Sequence, residues 1–115
     1  MENAVYMALA ACSGVSVFLF LLNIPLYLGK IKRNGWYGFR TPRTLSSDEI
    51  WYPANREAGL NFMIACVVIL LTALVLFFLR NTMSEQTLII IMVVATLISM
   101  IGAVIKSFIF LSKLK

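Results

Sequence analysis

A chain of 115 residues that is 61% hydrophobic and only 13% charged carries more apolar surface than one small globule could bury, and its mean hydropathy is +0.91. Its net charge of +5 sits beside apolar runs, which points to anionic lipid headgroups and away from nucleic acid. Histidine is absent and the two cysteines fall in different apolar runs. That excludes a Cys/His metal site and any nucleophile–histidine pair, and no metal, cofactor or catalytic residue is expected.

In chain order, Val5 to Leu28 is free of charge and long enough to cross roughly 30 Å of hydrocarbon. Glu2 precedes it without Lys or Arg, so the basic flank of a signal peptide is missing. Leu9-Ala10-Ala11-Cys12 looks like a lipoprotein cleavage box, but the apolar run continues well past it and reads better as a span. Pro25 cannot donate to the carbonyl of Leu21, which predicts a kink near the inner end of this span. Ala8, Cys12 and Ser16, spaced by four, form a strip narrow enough for close helix contact. Cys12 and Cys66 are expected towards opposite ends of neighbouring helices, too far apart for a disulfide.

A polar segment, residues 30–57, separates this run from a second charge-free one at about 58–79. Arg80 to Glu85 is a short polar turn in which Ser84 or Thr82 can cap the next helix. The third span covers about 86–105, or reaches Leu111 if Lys106 snorkels to the headgroups. It carries a second small-residue strip, Ala95, Ser99, Ala103 and Ser107. The fold class is therefore an all-α integral membrane protein, one domain over 1–115. Its expected architecture is three transmembrane helices with a short interfacial helix in the first cytoplasmic loop.

Orientation follows from basic residues. Lys30, Lys32, Arg33, Arg40, Arg43 and Arg56 with Lys106, Lys113 and Lys115 lie on one side, and only Arg80 lies on the other. The positive-inside rule then places the N-terminus outside, and the segment and the C-terminus in the cytoplasm. Three helices leave lipid-facing surface that a homo-oligomer could use.

The polar segment holds the residues that composition does not explain. Asn34-Gly35 suits a tight turn, since both residues tolerate positive φ. Trp36, Tyr37 and Phe39 are rings at the depth of an interfacial aromatic belt. Proline's constraint on its predecessor makes Thr41-Pro42 extended. Ser46-Ser47-Asp48-Glu49 reads as a helix start, with Ser46 capping the Glu49 amide and acids in the first turn. That helix places Trp51, Asn55 and Gly59 on one face, and Pro53 is expected to break it before the second span begins.

Arg40, Arg43 and Arg56 offer planar forks suited to phosphate or carboxylate. Six bases against three acids in this segment leave positive charge for an anionic partner. Asn23 and Asn61 fall near the inner ends of their spans, and intramembrane polar groups usually face the bundle interior. The expectation is a shallow polar pocket floored by Asn23 and Asn61 and covered by the arginine-rich loop. Arg40, Trp51, Asn55 and Arg56 would form one site above them. Asp48 and Glu49 are more simply capping groups than catalysts. All five acids lie outside the spans, which argues against a proton-coupled carrier.

Taken as a string, Asn34, Gly38, Arg40-Thr41-Pro42, Thr44-Leu45, Trp51, Asn55-Arg56 and Gly59 resembles the motif of the SdpI family of bacterial membrane proteins. The pattern is an Asn, a Gly-hydrophobic-Arg-Thr-Pro core, a Thr-Leu, then Trp and Asn-Arg-x-x-Gly ahead of an apolar helix. The likeness runs from about Lys30 to the end of the third span, in a short, three-span form; longer members carry extra spans ahead. It implies a protein of the bacterial cytoplasmic membrane that protects against a membrane-active peptide toxin. In the family's named member it also implies signalling, by holding a repressor at the membrane once toxin is sensed; in this chain Arg40, Arg43 and Arg56 could engage an acidic cytoplasmic partner. With Arg43 included, these motif positions are the candidate binding residues, together with Asn23 and Asn61. The alternatives are a lipid-phosphate-binding membrane protein or enzyme, and a small transporter.

Overall fold

In the computed structural model, which describes residues 2–114, the chain forms three antiparallel helices and one short turn of 3-10 helix. Helix α1 is Glu2–Tyr27, the 3-10 turn is Thr44–Ser46, α2 is Asp48–Phe78 and α3 is Glu85–Lys113. All three helices are long and apolar enough to cross a membrane. Among the described residues there is no strand. The molecule measures 51 × 22 × 18 Å, the proportions of a slender up-down-up bundle. Helix α2 is the middle member, packed along both α1 and α3, which touch each other less.

The main apolar core lies at the end far from the polar segment. There Val5 and Leu9 of α1 meet Ile69, Ala73 and Leu76 of α2 and Leu88 and Met92 of α3, with Cys12 packed against the cluster. Both cysteines are free, as their placement in separate runs requires. Around this core the helices turn Val, Leu, Ile and Phe outward, as at Leu71, Phe78, Ile98 and Ile101. Faces of this kind suit an apolar surrounding.

Helix ends follow local chemistry. Pro25 lies in the last turn of α1, where its constraint precedes the natural stop. The Gly29 amide donates to Leu26 and the Lys30 amide to Pro25, with Gly29 at φ +72°. This is a Schellman closure, which needs the left-handed conformation that glycine adopts without penalty. At the far turn Ser84 caps α3, its hydroxyl accepting from the Thr87 amide at 3.3 Å.

Three local expectations need correction. The separate interfacial helix and the break at Pro53 are absent, because residues 48–57 are the first turns of an uninterrupted, 31-residue α2. A helix of that length extends about 46 Å, so its first turns can stand beyond the hydrocarbon without a break. Pro53 costs only the bond to the Glu49 carbonyl, on an exposed residue, while Trp51 and Asn55 brace the helix on either side of it. Ser46 does not cap α2; its hydroxyl donates to the Arg43 carbonyl at 2.5 Å. Ser47 is the N-cap, and its carbonyl accepts from Ile50 and Trp51 without help from its side chain. Neither Asn34 nor Gly35 uses positive φ; in this segment that conformation falls at Gly38.

Candidate functional site

The polar segment is folded back onto the C-terminal end of α1 and the N-terminal end of α2 by three local devices and one latch. The first device is Asn34, whose Oδ1 accepts from the amides of Trp36 and Tyr37 at 2.8 Å each. Its Nδ2 donates to the Lys32 carbonyl, so one side chain shapes the turn. The second is Thr41-Pro42-Arg43-Thr44. The Thr41 amide donates to Thr44 Oγ1 at 2.6 Å, and the Thr44 amide donates to Thr41 Oγ1 at 3.1 Å. The two threonines thus satisfy each other's amides reciprocally, and Pro42 lies in the turn that leads into the 3-10 helix. The third is the ion pair of Arg33 and Asp48 at 3.5 Å, which ties the start of the segment to the first turn of α2.

The latch is Asn55 with Trp51. Asn55 Oδ1 accepts from the Phe39 amide at 2.6 Å, and its Nδ2 donates to the carbonyls of Phe39 and Trp51. Trp51 is wholly buried and donates from Nε1 to the Ile31 carbonyl at 2.8 Å. Gly38 makes this approach possible. A Cβ there would lie 2.6 Å from Asn55 Oδ1 and 3.3 Å from Trp51 Cη2, and its φ is +111°. One layer deeper, Gly59 lets α2 meet the α1 backbone, since a Cβ would fall 3.0 Å from the Asn23 carbonyl oxygen.

Beside the latch runs a groove of about 420 Å³ between the C-terminal parts of α1 and α3 and the N-terminal part of α2. Leu19, Leu22, Leu26, Phe62 and Phe108 make its apolar walls, and residues 37–41 cover one end. Phe39 closes on Phe108 edge to face, with ring centroids 5.0 Å apart. The polar groups at the covered end are Asn23, Tyr37, Arg40 and Thr41. Arg40 donates from one nitrogen to the Gly35 carbonyl and is otherwise exposed. Burial pushes the Tyr37 phenol above its ordinary value.

The candidate residues therefore separate into groups. Asn34, Gly38, Thr41, Pro42, Thr44, Trp51, Asn55 and Gly59 shape or anchor the segment, and Thr44, Trp51, Asn55 and Gly59 are buried. Asn23 and Arg40 reach the groove. Arg43 and Arg56 do not line it, so the three arginines do not share this groove. Asn61 also stands apart from it. Its Nδ2 donates to Ser107 Oγ at 3.2 Å, and it borders a smaller cavity of about 180 Å³ with Ser99 and Lys106. The apolar walls and the Phe39–Phe108 contact escape sequence reasoning, because no local pattern brings a loop phenylalanine to the last third of the chain.

Comparison with known proteins adds one finding. A sequence model of the SdpI/YfhL protein family matches residues 30–107, about two thirds of the chain and the whole of the latched segment. No curated protein and no solved structure matches.

Proposed function

The chain belongs to the SdpI/YfhL family, and from that premise we propose that it is a non-catalytic protein of the bacterial cytoplasmic membrane protecting against a membrane-active peptide. The observation that carries this reading is the coincidence of family and latch. The matched region is the part of the chain that spends the most polar chemistry on holding one loop at one end of an apolar bundle. A loop held this firmly presents a fixed surface. On it stand Arg40 and Arg43, with Trp36 fully displayed at 91% exposure, and Arg56 stands on the adjoining first turns of α2. Such a surface suits anionic headgroups and an acidic cytoplasmic protein, while the apolar helix faces suit a toxin met within the bilayer. The loop and the C-terminus would then face the cytoplasm and the N-terminus the outside, by the distribution of Lys and Arg.

The test is protection. Expression in a host killed by secreted membrane-active peptides should raise survival, and a chain with Asn55→Leu, which opens the latch, should protect less. Equal killing with and without the protein, across a panel of such peptides, would end this reading.

A further inference from the structure

The groove has the features of a ligand site in its own right. Its volume of about 420 Å³ falls within the range of about 300–1,000 Å³ typical of small-molecule pockets. Its axis follows the helices, since along α1 it reaches from Leu26 back to Leu19, a rise of about 10 Å. The walls beneath the loop are apolar at Leu22, Phe62, Val104 and Phe108, and the Ser107 hydroxyl among them is already engaged, donating to the Ala103 carbonyl and accepting from Asn61. The covered end is different. Arg40 has guanidinium N–H groups not used by Gly35, and the Tyr37 hydroxyl has no protein partner among the described residues. No acid lines the groove, and Asp48 is turned to Arg33. A narrow apolar channel ending at an uncompensated guanidinium and a phenol matches an amphiphile with one extended chain and an anionic, hydrogen-bond-accepting head.

We propose that this groove seats one acyl chain of an anionic phospholipid, with its phosphate held by Arg40 and Tyr37. Charge complementarity selects the occupant. A zwitterionic lipid brings its own cation to the same guanidinium, and a free phosphate leaves the apolar walls wet. The site rests on the bilayer as solvent and not on the protective role, so each can fail without the other.

The experiment is native mass spectrometry of the full-length chain released from detergent. It is titrated separately with dioleoyl phosphatidylglycerol, dioleoyl phosphatidylcholine and inorganic phosphate. The expected result is a one-to-one phosphatidylglycerol adduct about tenfold tighter than that of phosphatidylcholine, as one charge-assisted contact allows, and no displacement by phosphate. Arg40→Gln should abolish that preference. Lys32→Gln, which removes the same charge from the same loop away from the groove, should keep it. Val104→Trp, at a half-exposed wall position, should block retention of both lipids. Equal losses in R40Q and K32Q would mean diffuse attraction to a basic loop and would overturn the site. So would unaltered retention in V104W, displacement by free phosphate, or equal binding of the two lipids. If V104W does not fold, the difference between R40Q and K32Q decides alone.

Discussion

Two asparagines show how differently the same side chain can be used. Asn55 is 1% exposed and satisfies both backbone groups of Phe39, so Asn55→Leu strands an amide and a carbonyl beneath the loop. Losing buried partners costs about 1–3 kcal/mol for each group left unmade. The expected outcome is a lower melting temperature in detergent and faster tryptic cleavage after Arg40 and Arg43; unchanged cleavage would show that the loop is held by other means. Asn61 is a milder case, because Ser107 keeps its own donation to the Ala103 carbonyl when Asn61 is gone. Asn61→Leu should therefore cost under about 1 kcal/mol on the same melting assay. Gly38→Ala combines a strained φ with an overlap at 2.6 Å and should match Asn55→Leu in direction. The motif residues stood out in the sequence, but their use did not. A string of Asn, Gly, Thr and Trp reads equally as binding surface or as scaffold. The distinction rests on burial and on pairings 16 and 20 residues apart, such as Phe39 with Asn55 and Ile31 with Trp51.

Elements depend on where a breaker falls within them. Pro25 and Pro53 each remove one backbone donor, yet neither interrupts its helix. One lies in a final turn and the other between two anchored residues. From sequence, Pro53 predicted a break because propensity counts the missing bond and cannot count the Trp51 and Asn55 contacts that offset it. Pro53→Ala restores a donor to the Glu49 carbonyl and should raise thermal stability without changing helical content. A fall in helicity would show that the proline fixes the helix start. Gly59 works in the opposite sense. Its bare Cα lets α1 and α2 approach where the loop docks, and Gly59→Leu must push the α1 backbone away. Overpacking of this kind costs about 1–3 kcal/mol. It should open the groove as well as lower stability, seen as parallel losses of melting temperature and of lipid retention.

At the scale of the molecule, the three helices were legible because each contains a charge-free run about as long as the hydrocarbon of a bilayer is thick. The groove was not legible, since its walls come from three helices and its cover from a loop, with no shared local period. The up-down-up order puts the polar segment and the C-terminal end of α3 at one end of the bundle and the α2–α3 turn at the other. Lys and Arg are concentrated at the first end, and only Arg80 is at the second. By the positive-inside rule the proposed orientation puts the latched loop in the cytoplasm, where its arginine-bearing surface would meet the proposed acidic partner. Cysteine labelling decides the matter in intact cells. With Cys12 and Cys66 replaced by serine or alanine, single cysteines go to the two exposed positions Trp36→Cys and Asn81→Cys. A membrane-impermeant maleimide should label Asn81→Cys directly and Trp36→Cys only after permeabilisation. The reverse pattern would turn the loop outwards, so that Arg40, Arg43 and Arg56 would face the medium from which a secreted toxin arrives. Labelling of both positions without permeabilisation would mean that the bundle lies along the surface instead of crossing it.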